Sequence, residues 1–285
     1  MILVTGSTGR VGREVTFGLV REDIALRAMI HHGTGAEWIH WSNVDTVMGE
    51  FADPHSLDAA LSGIDAVFLT SSISAKQTEL QTAMIDACAR AGVKHVVYLS
   101  LLGAAAAAPS RLLQRHAATE SYLARAGVRY TVLRANLYLT TILEQQRTIA
   151  EESTIVSSLD KGTAISMLAP RDVAAVACAK LLAMPAEDAI LELTGAEPLR
   201  QTDIAAELTR RLERTIGYRR VAPEDFIAMQ RAAGLPRENA ESIAELYAWY
   251  DGGEAARVTD AVERATGVPP LSLRAYLDTT RRKLA

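Results

Sequence analysis

The sequence predicts an α/β fold, a parallel sheet doubly wound by helices, and three observations carry that prediction. Short β-rich runs with little polar alternation recur through the first 135 residues, as strands buried on both faces do. Helical stretches separate them with short connections, which calls for parallel strands joined by right-handed crossovers. A glycine loop stands at the first strand–helix junction.

The strands are read at residues 2–5, 24–30, 44–49, 66–70, 96–100 and 130–134. The helices between them fall at 11–21, 56–61, 76–91 and 110–126. Asp53 and Pro54 open the second helix as a cap followed by a first-turn proline. Two later helices end in Ala-Gly-Val, at Gly92 and Gly127, where glycine stops the helix and the next strand begins. Beyond Ala135 helical pattern dominates, at 137–151, 170–184, 201–214, 223–233, 238–250, 259–266 and 272–284, interrupted by β-rich pieces at 165–168, 190–194 and 215–221. The expected organisation is a Rossmann-like dinucleotide-binding domain over residues 1–135, with later segments returning to it. A smaller, mostly helical substrate-binding portion covers 136–285, and the ligand crevice lies outside the carboxyl ends of the strands.

Composition narrows the function. Thirty Lys and Arg against 34 Asp and Glu give a net charge of −4. No block of like charge is present, so the concentrated positive surface of non-specific nucleic-acid binding is missing. No run of about 18 uncharged apolar residues predicts a membrane span, and no targeting segment is evident, so the expected location is the cytoplasm. Cys88 and Cys178 lie far apart in apolar helical segments and read as reduced, buried thiols. No His, Cys, Asp or Glu set has metal-ligand spacing, and no Gly-x-Ser-x-Gly elbow suggests a hydrolase. Only five of the basic residues are lysine.

The strongest motif is Gly6-Ser7-Thr8-Gly9-Arg10-Val11-Gly12, directly after the first strand and before a helix. Gly6 suits the tight turn, Gly9 lets backbone approach a pyrophosphate, and Gly12 allows close helix packing. The helix N-terminus then offers free N–H groups to an anion. The second strand ends at Ile30-His31-His32, with neither the acid that would bind an adenosine ribose nor an arginine for a 2′-phosphate. The missing acid tilts the reading toward NADP over NAD, with His31, His32 and Arg10 as phosphate partners.

The chain resembles the NmrA-like branch of the atypical short-chain dehydrogenase/reductases, in particular its bacterial NAD(P)H:quinone oxidoreductase type. The residues that carry this are Thr5-Gly6-x-x-Gly9-x-x-Gly12, the run from Ala91 through Lys94 to Ser100, His116-x-x-x-Glu120 leading to Arg134, and Arg171-Asp172-Val173-Ala174. The resemblance implies a pyrophosphate loop of Gly6, Ser7, Thr8, Gly9, Arg10 and Val11. It places His31 where relatives keep a 2′-phosphate arginine, Phe51 beside the adenine, and Thr70, Ser71 and Ser72 along the ribose and diphosphate. Ser100 and Leu101 would approach the nicotinamide, and Leu102, Asn136 and Tyr138 would face the substrate.

The departures are specific. No tyrosine has a lysine four residues on, so the Tyr-x-x-x-Lys acid of common short-chain reductases is missing. The family's Thr-Glu-Lys run reads Thr119-Glu120-Ser121. Ser100, His116 and Tyr138 are the remaining catalytic candidates. His116 could pair with Glu120 one helical turn on, and Arg134 is expected to pair with an acid such as Asp172. Trp38 and Trp41 read as a surface, lid or interface pair. Tyr247, Trp249 and Tyr250 read as a pocket wall or a helix-packing seam. The leading expectation is an NAD(P)H-dependent oxidoreductase passing hydride to a quinone or enone-like small molecule. The alternatives are an NAD(P)-sensing regulator that acts through a partner protein, and a cofactor-independent biosynthetic enzyme on the same fold. A homodimer is compatible with any of them.

Overall fold

The computed structural model describes residues 1–31, 39–184 and 187–280. His32 and Trp38 lie outside the described residues. The strand–helix rhythm gives β1 (Ile2–Val4), α1 (Arg10–Arg21), β2 (Leu26–Ile30), β3 (Val44–Met48), α2 (Pro54–Leu61), β4 (Ala66–Leu69), α3 (Gln77–Ala91), β5 (His95–Leu101), α4 (Arg111–Leu123) and β6 (Arg129–Ala135). All residues of β1 and β4 are buried, which explains their unbroken apolar sequence. Asp53 caps α2 through the His55 N–H at 3.0 Å, with Pro54 in the first turn.

Past β6 the chain first runs outside the sheet. Residues 137–151 do not form the single helix their pattern predicts. They break into α5 (Thr140–Leu143) and α6 (Gln146–Glu152). The ends are held elsewhere: Tyr138 bridges to Leu168, and the Gln145 side-chain oxygen accepts the Val156 N–H at 2.7 Å. Then follow β7 (Thr154–Ser157), β8 (Ala164–Ile165), α7 (Pro170–Ala183), β9 (Ala189–Leu193), β10 (Leu199–Arg200), α8 (Gln201–Leu212) and β11 (Gly217–Arg220). The chain closes with α9 (Pro223–Ala232), α10 (Arg237–Asp251), a 3-10 turn at Glu254–Ala256, α11 (Ala261–Thr266) and α12 (Leu273–Thr279). The expected extension of the last helix to residue 284 runs past the described residues.

Among the described residues the main sheet has seven parallel strands in the order β3-β2-β1-β4-β5-β6-β9. The last strand comes from residues 189–193, so the sheet is completed only after the chain has passed through α5–α7. One face buries Val11, Val15 and Leu19 of α1 with Val173 and Ala177 of α7 and Val262 of α11. Spaced at i, i+4 and i+8, those α1 residues form one stripe, each contributing about 1.5–3 kcal/mol by leaving water. The other face holds α2, α3 and α4 through residues such as Leu57, Ile85 and Leu123. A third core, including Ile142, Ile204, Leu246 and Leu277, lies under the C-terminal helices.

Cys88 and Cys178 are free and buried, and burial pushes both thiols up to about 12. Trp41 packs edge-on against Phe17 of α1 at 5.4 Å. Among the described residues no helix is long and apolar enough to cross a membrane, and no group of His, Cys, Asp and Glu could hold a metal ion.

Candidate dinucleotide crevice

The strand order reverses between β1 and β4, the place where a doubly wound sheet takes its ligand, outside the carboxyl ends of the strands. Thr5 ties its two sides together: its hydroxyl accepts the Thr70 N–H at 2.9 Å and donates to the Thr70 carbonyl at 2.8 Å. Ser7 is buried and donates to the Met29 carbonyl at 2.8 Å, so it secures the loop to β2. A Cβ on Gly12 would lie 2.2 Å from the Gly6 carbonyl oxygen, so only glycine lets α1 start against the loop's own backbone. Gly6, Thr8, Gly9 and Arg10 face outward, while Ser7, Val11 and Gly12 are buried beneath them. No side chain caps α1 and its first turn holds no acid. Its N–H groups and the positive end of its dipole are left for an anion, a cradle that fits a dinucleotide diphosphate.

Ser71 and Ser72 continue the rim beyond Thr70, with Ser71 accepting from Gln81 Nε2 at 3.0 Å. At the adenosine end His31 Nε2 contacts Glu50 Oε1 at 2.6 Å. Glu50 follows β3, next to Phe51, which is half-buried against the core below α2. A search confined to the second strand misses Glu50.

At the far end of β5 the candidates separate. Ser100 is fully buried and donates to Glu120 Oε1 at 2.5 Å. Arg134 Nη2 and Nε grip the same carboxylate at 2.6 and 3.0 Å. Arg134 therefore pairs with Glu120 and not with Asp172, whose carboxylate accepts the Leu271 N–H at 3.0 Å. Glu120 is in turn unavailable to His116. The Gln77 amide nitrogen donates to His116 Nε2 at 3.1 Å, which leaves the ring proton on Nδ1, 2.8 Å from the Tyr98 hydroxyl. Tyr98 passes its own proton to Gln81 Oε1 at 3.0 Å. Burial pushes the His116 imidazole down to about 3, so it is neutral and pinned between α3 and β5. Ser121 is exposed on the outer side of α4, one residue from the inward-facing Glu120.

The opposite wall comes from the segment after β6 and from α10. Leu101 is half-buried, and Leu102 is buried with its N–H on the Ala135 carbonyl at 2.9 Å. Asn136 is buried; its amide donates to the Ala255 carbonyl at 2.9 Å and accepts the Leu137 N–H at 2.8 Å, which anchors the 3-10 turn. Tyr138 is half-buried, and its hydroxyl makes no hydrogen bond among the described residues. Burial raises its pKa, so it stays protonated beside Arg10. Trp249 seats on Gly103, where a Cβ would lie 2.3 Å from Trp249 Cζ2. Tyr247 packs on Phe226 at 4.8 Å and on Tyr250 at 5.9 Å, so the α10 aromatics are a seam between helices as well as a wall. Arg10 forms an ion pair with Glu144, at the break between α5 and α6. Glu144 carries no motif, and only the tertiary structure reveals it. A depression of about 530 Å³ lies between α8 and β11, and none of these residues lines it.

The model of the NmrA-like family matches residues 1–278. The NAD(P)H azoreductase of Xenophilus azovorans is 29% identical over 269 residues, 94% of each chain. The (4-alkanoyl-5-oxo-2,5-dihydrofuran-3-yl)methyl phosphate reductase of Streptomyces griseus is 30% identical over 275 residues, 96% of this chain and 95% of that one. The crystal structure of the NADPH-dependent quinone oxidoreductase of Escherichia coli, complexed with NADPH, superposes with a TM-score of 0.88 at 26% identity, covering 99% of this chain and 100% of that one.

Proposed function

Since the chain belongs to the NmrA-like family, we propose that it is an NAD(P)H-dependent oxidoreductase that reduces a quinone or enone-like small molecule, with NADP as cofactor and NAD as the alternative. The observation that carries the reading is the uncapped α1 N-terminus behind its glycine loop, with Tyr138 packed on the same core as Val11, in a chain similar over nearly its whole length to an NAD(P)H azoreductase and an NADPH-dependent quinone oxidoreductase. Gly6, Ser7, Thr8, Gly9, Arg10 and Val11 would hold the diphosphate, with Thr70, Ser71 and Ser72 along the ribose side and Phe51 and His31 at the adenosine end. The bound nicotinamide supplies a hydride.

The chain's own task is then to orient the acceptor, exclude water and present a proton. Tyr138 is the donor: its hydroxyl is protonated at neutral pH and makes no hydrogen bond within the protein. Ser100 acts as a positioning residue, because its hydroxyl proton is committed to Glu120 and through it to Arg134. His116, neutral and doubly hydrogen-bonded, fixes α4 against α3 and β5. Quinones and enones delocalise the developing negative charge, so one hydrogen-bond donor and a shaped crevice meet the chemical need without a Tyr–Lys couple.

Calorimetric titration with NADPH and NADH, followed by nicotinamide absorbance with quinones and enones, tests the proposal. Saturable binding and acceptor-dependent oxidation are expected, with Tyr138→Phe lowering kcat about a hundredfold and leaving dinucleotide Kd unchanged. Tight binding without turnover of any acceptor would establish the sensing regulator instead. No binding at all would favour a cofactor-independent enzyme.

A further inference from the structure

Arg10 is the first residue of α1, so its guanidinium starts at the positive end of the helix dipole, in a first turn that contains no acid. A cation there is unfavourable unless an anion accompanies it. The structure supplies that anion from the far side of the crevice, as Glu144 at the break between α5 and α6. Three tyrosines lie near the pair: Tyr138 packs on the core that holds Val11, and Tyr247 and Tyr276 pack on the one that holds Ile142 and Leu143. Arg10 acts electrostatically on Tyr138, Tyr247 and Tyr276, and Glu144 acts on Tyr247 and Tyr276. None of the three hydroxyls is engaged by another described residue. Glu144 is about half exposed; burial of the rest raises its carboxyl, and the Arg10 charge pulls it back. The helix break therefore places a carboxylate between the pyrophosphate loop and the tyrosine wall.

We propose that Glu144 is a positioning residue that competes with the diphosphate of a nicotinamide dinucleotide for Arg10. In the free protein it holds the guanidinium across the crevice. When the dinucleotide occupies the loop, the guanidinium turns to phosphate, and Glu144 is left as an acceptor for the hydroxyls of Tyr247 and Tyr276, while Tyr138 stays free for the acceptor. A diphosphate outcompetes the carboxylate because it brings more charge and lies on the α1 N-terminus, where the dipole adds to the guanidinium. Glu144 thereby lowers dinucleotide affinity and, once released, orders the wall that receives the acceptor. The two ligands are coupled, and the dinucleotide binds first. This rests on the dinucleotide-binding reading above.

NADPH titrations of the wild type, Glu144→Gln, Arg10→Gln and the double variant test the competition. Glu144→Gln is expected to tighten NADPH about five- to tenfold, and Arg10→Gln to weaken it. In the Arg10→Gln background the Glu144 substitution should have no effect, because the two residues act through one pair. Glu144→Asp should restore most of the wild-type affinity. With NADPH saturating, Glu144→Gln should raise acceptor KM while its dinucleotide Kd falls, a split that a merely structural carboxylate would not produce. The proposal is overturned if Glu144→Gln leaves the NADPH Kd unchanged or weaker, or if its effect persists without Arg10. A wild-type protein that binds neither NADPH nor NADH would remove the dinucleotide reading and this competition with it. Binding that is indifferent to Glu144 removes the competition alone.

Discussion

His116 and Glu120 stand four residues apart on α4, a spacing that permits an imidazolium–carboxylate pair. The pair does not form because Glu120 already has a bidentate guanidinium and the Ser100 hydroxyl. Together these satisfy a buried carboxylate, whereas a neutral imidazole is far easier to bury than a charged one. The consequence for stability has a definite sign. An unfolded histidine takes up a proton near pH 6.5. His116 in the fold resists until about pH 3. Between those values the unfolded state binds more protons, so stability falls as pH falls, by at most about 1.4 kcal/mol per pH unit from this residue. Denaturant unfolding of wild type and His116→Gln at pH 6.5, 5.5 and 4.5 should show a shallower pH slope in the variant. His95, also depressed by burial, keeps part of the slope in both. An unchanged slope in His116→Gln would mean that the ring is not the group taking up the proton.

Elements rather than single residues govern the wall opposite the glycine loop. Gly103 follows β5 with φ +87°, and its missing side chain is where the α10 residue Trp249 sits. Gly103→Ala therefore meets both backbone strain and a clash, and is expected to lower stability by about 1–3 kcal/mol and push the indole outward. Tryptophan emission should shift and acceptor KM change, with NADPH Kd unaffected; a change in NADPH Kd instead would place Trp249 at the dinucleotide. The strands and helices up to β6 were legible in the sequence because each has one period and one burial pattern, and the glycine loop was legible for the same local reason. The break at Glu144 was not. Residues 137–151 carry a continuous helical pattern, and contacts with Val156 and Leu168, beyond the segment's end, interrupt it. Asn136 shows the same limit: its position beside Tyr138 suggests a crevice residue, yet its amide reaches across 119 residues to Ala255. Glu50 and Glu144 likewise act through partners that no motif joins to them.

At the scale of the molecule, the sheet and its covering layers are shared between early and late sequence. β6 pairs on one side with β5 and on the other with β9, in register from Thr131↔Ala189 to Ala135↔Leu193. On the α1 face, α7 and α11 bury Val173, Val176, Ala177 and Val262 against the same core as Val4, Phe68 and Val97. Cutting the chain after residue 135 would remove one strand and two of the three helices from that face. It would leave the β6 edge unpaired, and an unpaired, largely apolar edge strand favours aggregation over folding. It would also take away Glu144, Tyr138 and α10, so the glycine loop and the rim at Thr70, Ser71 and Ser72 would survive without the wall that faces them. The fragment 1–135 is therefore expected to be aggregated or to lack a cooperative thermal transition, and to bind no NADPH, even though every glycine of the loop is in it. A fragment ending at residue 280 retains all the described elements and is expected to show a cooperative melt. Circular dichroism melts and NADPH titration of the two fragments decide the matter. A cooperative, NADPH-binding 1–135 fragment would mean that the first six strands fold alone and that β9 and α7 are additions to a complete domain.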